Sequence, residues 1–141
     1  MGSVGEPCEW NISALLLILK GTQLAYRIAL KALFVETPVF ERYREIYLRD
    51  AGYRSLQNDL LSDPTAGQLI PGTGGLRKLR FPDVRRGKGK RGGLRVIYFW
   101  WESGQQFWLF TIYDKDEMQD LTTQEKVQLK EILRREIEAR T

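Results

Sequence analysis

The chain has 141 residues, with 22 Lys or Arg, 18 Asp or Glu, one cysteine and no histidine, for a net charge of +4. This length suits one domain around a single core. The missing histidine excludes His-based triads and His-ligated metals, while the lone Cys8 excludes an internal disulfide framework and fits a reducing compartment; together they exclude a zinc site.

Residues 1–33 differ from the rest. Residues 12–19 form a short apolar run, and 24–33 read as a weak helix downstream of Gly21. The run is too short for a bilayer, which needs roughly 20 apolar residues. Glu6 and Glu9 stand where a signal peptide would be basic, so neither a signal peptide nor a membrane anchor is expected. We read 1–33 as an N-terminal extension and 34–141 as the domain.

The domain opens with a short strand at Phe34, Val35 and Glu36. Thr37 then caps a helix with Pro38 at its first position, and Phe40, Tyr43, Ile46 and Tyr47 mark its buried stripe. A second helix carries Tyr53, Leu56, Leu60 and Leu61 and stops before Pro64, and residues 64–75 read as loop. Strands follow at 76–81, 94–101 and 107–113, joined as hairpins into an antiparallel meander. Thr122 and Glu125 form a capping box that opens a helix to about Arg140, with Leu129, Ile132, Leu133 and Ile137 inward. The order predicts an α+β fold.

Charge is concentrated inside the meander. Between Gly72 and Arg95 nine basic residues face one acid, Asp83, a local charge of +8, while the remainder carries 13 basic against 17 acidic residues, or −4. Concentrated positive charge on a small domain points to a polyanion. Alternation puts Lys78 and Arg80 on one face of their strand and Leu79 and Phe81 on the other. Arg95 opens the next strand. The segment between, residues 82–93, has four glycines and reads as a long mobile hairpin loop bearing Arg85, Arg86, Lys88, Lys90 and Arg91. Tyr98, Phe99, Trp100, Trp101 and Trp108 read as core or partner surface. The glycine clusters lack the GK[ST] ending of a nucleotide-binding loop.

Four stretches carry a resemblance: FVETP at 34–38, GGLRKLR at 74–80, GKGKRGGLRVIY at 87–98 and YDKDE at 113–117. In this order they resemble the RelE/HigB superfamily of bacterial type II toxins, closest to its HigB-like branch, over residues 34 to about 138. The resemblance implies a RelE-like fold, with two N-terminal helices packed on an antiparallel sheet and a C-terminal helix. It also implies a cytoplasmic, metal-independent endoribonuclease without cofactor that cuts mRNA in the ribosomal A site. Its partners would be ribosome and mRNA, and a helix-turn-helix antitoxin that alone contacts operator DNA; no membrane is involved.

Carried over by position, Lys78, Arg80, Arg95, Lys115 and Tyr113 are the implied catalytic residues. Lys78 is the candidate base, beside cations that disfavour its charged form. Arg95 would hold the phosphate in bidentate fashion, Arg80 and Lys115 would support charge or donate a proton, and Tyr113 would stack on a base or act as acid. Glu117 is expected to fix Lys115 or Arg95. Arg77, Arg85, Arg86, Lys88, Lys90 and Arg91 would contact RNA or the ribosome. The alternative function is a non-catalytic basic module of toxin-like fold that binds RNA or DNA.

Overall fold

The computed structural model describes residues 32–117 and 120–141. The chain runs through strand β1 (Leu33–Glu36), helices α1 (Pro38–Tyr47) and α2 (Asp50–Ser62), and a two-residue strand β2 (Gln68–Leu69). Strands β3 (Arg77–Phe81), β4 (Leu94–Trp101) and β5 (Gln106–Asp114) and helix α3 (Thr123–Arg140) complete it. The apolar run at 12–19 and most of the expected weak helix lie outside the described residues, and Leu33 belongs to β1. No helix among the described residues is long and apolar enough to cross a membrane.

Five strands form one sheet in the order β1-β5-β4-β3-β2. The meander β3-β4-β5 is antiparallel, as its hairpins require. The sheet as a whole is mixed, which corrects the antiparallel expectation: β1 lies parallel to β5, with Leu33 opposite Gln106 and Glu36 opposite Leu109. No hairpin joins these two strands, so nothing forces them to reverse. β2 was expected to be loop. It pairs with β3 because the turn before it is pinned: the Tyr98 hydroxyl accepts from the Gly67 amide at 3.0 Å and donates to the Pro64 carbonyl at 2.8 Å. Arg77 Nη1 also donates to the carbonyls of Thr65 and Gly67. A Cβ on Gly67 would sit 2.8 Å from the Tyr98 ring.

The sheet separates two cores. On one face Phe40, Leu48, Leu56 and Leu60 pack with Phe34, Val96, Tyr98, Phe107 and Leu109. On the other, Leu121 and Leu133 pack with Val35, Ile97, Trp108, Phe110 and Tyr113. Thus α1 and α2 cover one face and α3 the other. Tyr43 and Ile46, expected on the buried stripe of α1, are 37% and 55% exposed. At about 100° per residue, Tyr47 falls nearly in line with Phe40, whereas Ile46 turns about 120° away. The same geometry leaves Ile132 exposed about 100° from Leu133, while Leu129 and Ile137 stay packed.

A register shift between Ile97 and Tyr98 decides which way the end of β5 faces. Tyr98 pairs with Leu109 and Ile97 with Thr111, leaving Phe110 as the extra residue of a β-bulge. Simple alternation from Trp108 would send Tyr113 to the opposite face; the extra residue returns it to the α3 face. The Thr37 hydroxyl donates to the Phe110 carbonyl at 2.7 Å, and Thr37 Oγ1 accepts from the Phe40 amide at 3.1 Å as the N-cap of α1. One threonine thus starts the helix and holds the bulge.

Candidate nucleic-acid and catalytic site

Three side chains come together in a row across the meander. Arg80 lies opposite Arg95 in the β3–β4 register, and Arg95 lies opposite Tyr113 in the β4–β5 register, so all three share the α3 face. The Arg80 side chain is exposed and has no hydrogen-bond or ion-pair partner among the described residues. Arg95 is only 6% exposed and forms no ion pair among the described residues, with Asp120 the carboxylate that acts on it from a distance. Its Nη1 donates to the carbonyls of Lys90 and Leu94, and its Nη2 to that of Arg91. Three of five N–H donors are thus committed to the chain end of the basic loop, and two remain. Burial, with Arg80 adding repulsion, pushes the Arg95 guanidinium down from its ordinary value, yet an arginine stays charged.

Tyr113 completes the row. Its hydroxyl is buried without a hydrogen-bond partner among the described residues, and burial, aided by Asp120, pushes it up to about 12. It is therefore a proton-bearing donor at neutral pH, with no acceptor among the described residues. A buried polar group in that condition demands an explanation, and a ligand oxygen supplies one.

Lys78 stands two residues before Arg80 on the same face, opposite Ile97. Its Nζ is 2.6 Å from Asp120 Oδ1. Asp120, on the segment leading into α3, was not singled out from the sequence; no motif marks it, and it lies 42 residues from its partner. Lys78 holds the Asp120 carboxyl below the usual carboxylate range. Lys115 is exposed in the turn after β5, its amide donating to the Gly93 carbonyl. Glu117 fixes neither Lys115 nor Arg95: it accepts from the Tyr47 hydroxyl at 2.7 Å, tying the turn to α1.

The basic loop is built, not slack. Val84–Arg86 form a 3₁₀ turn, and Asp83 and Lys88 exchange backbone hydrogen bonds at 2.8 and 2.9 Å. Arg85 bonds the buried Asp83 carboxylate at 3.0 Å, and Arg86 bonds the fully buried Asp114. Asp116 takes both Arg86, at 3.1 Å, and Lys88, at 2.5 Å. Three loop cations therefore neutralise Asp83 within the loop and Asp114 and Asp116 at the β5 end; of these acids Asp83 and Asp114 are buried and could not be so alone. Arg77 is occupied with the loop before β2, as above. Lys90 and Arg91 are the exposed loop cations whose side chains have no partner among the described residues. Among the described residues no group of three or more His, Cys, Asp or Glu could hold a metal ion.

No protein-family model matches the chain.

Proposed function

We propose that this chain is a toxin of the RelE/HigB type, a metal-independent endoribonuclease that cuts mRNA in the ribosomal A site. The observation that carries the reading is the Arg80–Arg95–Tyr113 row: among the described residues, an unpaired cation, a buried guanidinium in no ion pair, and a buried hydroxyl without an acceptor, all facing one way. That combination suits a phosphate gaining charge in a transition state. The 2′-oxygen bonds to phosphorus, the bond to the 5′-oxygen breaks, and a 2′,3′-cyclic phosphate and a 5′-hydroxyl result. Arg95 and Arg80 stabilise the equatorial oxygens and Tyr113 donates its proton to the leaving 5′-oxygen. Lys78, once drawn off Asp120 and its ammonium proton lost to solvent, takes the 2′ proton. Lys115 adds charge at the rim, with Lys90 and Arg91 towards the RNA backbone. The antitoxin, a helix-turn-helix protein, is the partner that silences the activity and brings the complex to operator DNA.

The test is single-turnover cleavage on saturating programmed ribosomes. Wild type is expected to cut the mRNA. Arg95→Lys, which loses the planar fork, and Tyr113→Phe, which loses the proton, are each expected to slow cleavage by about tenfold or more, about 1.4 kcal/mol of barrier. Ribosome affinity should hold. Cutting by both variants at the wild-type rate overturns the assignment. Binding of RNA without any cutting by wild type supports the non-catalytic module instead.

A further inference from the structure

Beside the row lies a cleft of about 400 Å³ between β2, the start of β3 and the entry to α3. Ile70 and Leu121 form apolar walls, and Gln68, Lys78, Asp120 and Lys126 supply its polar groups. Resting on the nuclease reading, we propose that this cleft holds the nucleobase next to the cut phosphate, that the base is guanine, and that Asp120 reads it.

Size comes first. The volume stands near the lower end of the roughly 300–1,000 Å³ typical of small-ligand sites, which suits one nucleotide and not a stack of several. The location follows from the strand: Lys78 lines the cleft and Arg80, two residues on along the same face, begins the phosphate row. A chain with its phosphate on Arg80 and Arg95 can lay a neighbouring base beyond Lys78. The apolar walls then take the faces of the base.

The polar groups select among bases. Asp120 is acceptor-only when ionised and has about four lone-pair sites. Lys78 uses one oxygen, and the side chain is otherwise 71% exposed. Lys126, close enough to act on the Asp120 charge, is a donor beside that acceptor, and Gln68 stands opposite Lys78 in register. The cleft therefore offers a donor next to a carboxylate. The pairing edge of guanine presents the complement, the O6 acceptor followed by the N1 and N2 donors. Uracil offers one donor between two acceptors, while cytosine and adenine set a ring-nitrogen acceptor against the carboxylate. Guanine donors on Asp120 compete with Lys78 for the same carboxylate, so recognition of the base loosens Lys78 towards the 2′-oxygen.

The experiment titrates 3′-GMP, 3′-AMP, 3′-CMP and 3′-UMP into the full chain, followed by chemical-shift changes, and separately maps cut sites on translating ribosomes. The expected result is a preference for 3′-GMP on the order of tenfold or more, erased in Asp120→Asn, whose amide cannot accept from both guanine donors. Thermal unfolding of Asp120→Asn, an exposed position, checks that the variant is folded. Equal affinity for all four nucleotides, or an unchanged preference in Asp120→Asn, overturns the inference. If that occurs while ribosomal mRNA is still cut, the nuclease reading stands without the base site. If 3′-GMP is preferred through Asp120 and no mRNA is cut, the cleft is a guanine site and the nuclease reading falls.

Discussion

Tyr113 ties stability to pH in a direction that can be stated in advance. Burial raises it to about 12, and Tyr47, half-buried and bonded to Glu117, is raised to about 12 as well. An unfolded tyrosine titrates near 10. Between those values the unfolded chain releases protons that the folded chain keeps, so the stability these groups supply is complete below about pH 10 and is lost as pH climbs towards 12. Urea midpoints measured from about pH 9 to 12 are expected to fall above pH 10, and less steeply in Tyr113→Phe. Thr37 makes a second residue-scale case, because it serves both the α1 cap and the bulge carbonyl. Thr37→Val is expected to destabilise by about 1–3 kcal/mol, the range for a lost cap and an unsatisfied buried carbonyl, whereas Thr37→Ser keeps most of it; chemical denaturation of the two variants checks this. The cap was legible in the sequence, since Thr-Pro before an apolar stripe has a local cause. The bulge was not, because β5 alternates without any mark of an extra residue, and only its pairing with β4 reveals one.

Elements were legible where their signals are local. The meander strands and the α3 capping box follow from alternation, turns and the Thr122–Glu125 spacing; Lys78, Arg80 and Arg95 could be gathered from the strands, while Tyr113 came only with the resemblance. What escaped depended on partners far along the chain. The basic loop read as mobile because Asp114, which fixes Arg86, is 28 residues away, and Asp120 escaped for the same reason. Glycine content suggested slackness, yet Gly93 is a tight fit: a Cβ there would lie 2.5 Å from the Phe81 carbonyl and 2.7 Å from that of Gly89. Gly93→Ala is therefore expected to cost about 1–3 kcal/mol, as overpacking does, and to loosen the carbonyls that hold Arg95. Faster amide exchange across residues 88–95 would report it, while Gly89→Ala, with open space around its Cβ, should leave exchange unchanged.

Seen as one body, the described residues assemble both cores from positions 32–137, with their buried members between Phe34 and Leu133. A chain trimmed to residues 32–141 is expected to unfold in one cooperative transition with the full chain's urea midpoint; a lower midpoint would bring residues 1–31 into the stability of the domain. The parallel seat of β1 also has a consequence for synthesis. Leu33 pairs with Gln106, and Thr37 bonds the Phe110 carbonyl across 73 positions. The first described strand thus waits for the last one before it has a sheet partner, and contacts of such long separation form slowly. Tyr113 and Asp120 emerge later still. A nascent chain of this protein therefore has no complete arginine–tyrosine row while most of it is being made, and under the nuclease reading the ribosome that builds the enzyme is spared by the order in which the sheet can close.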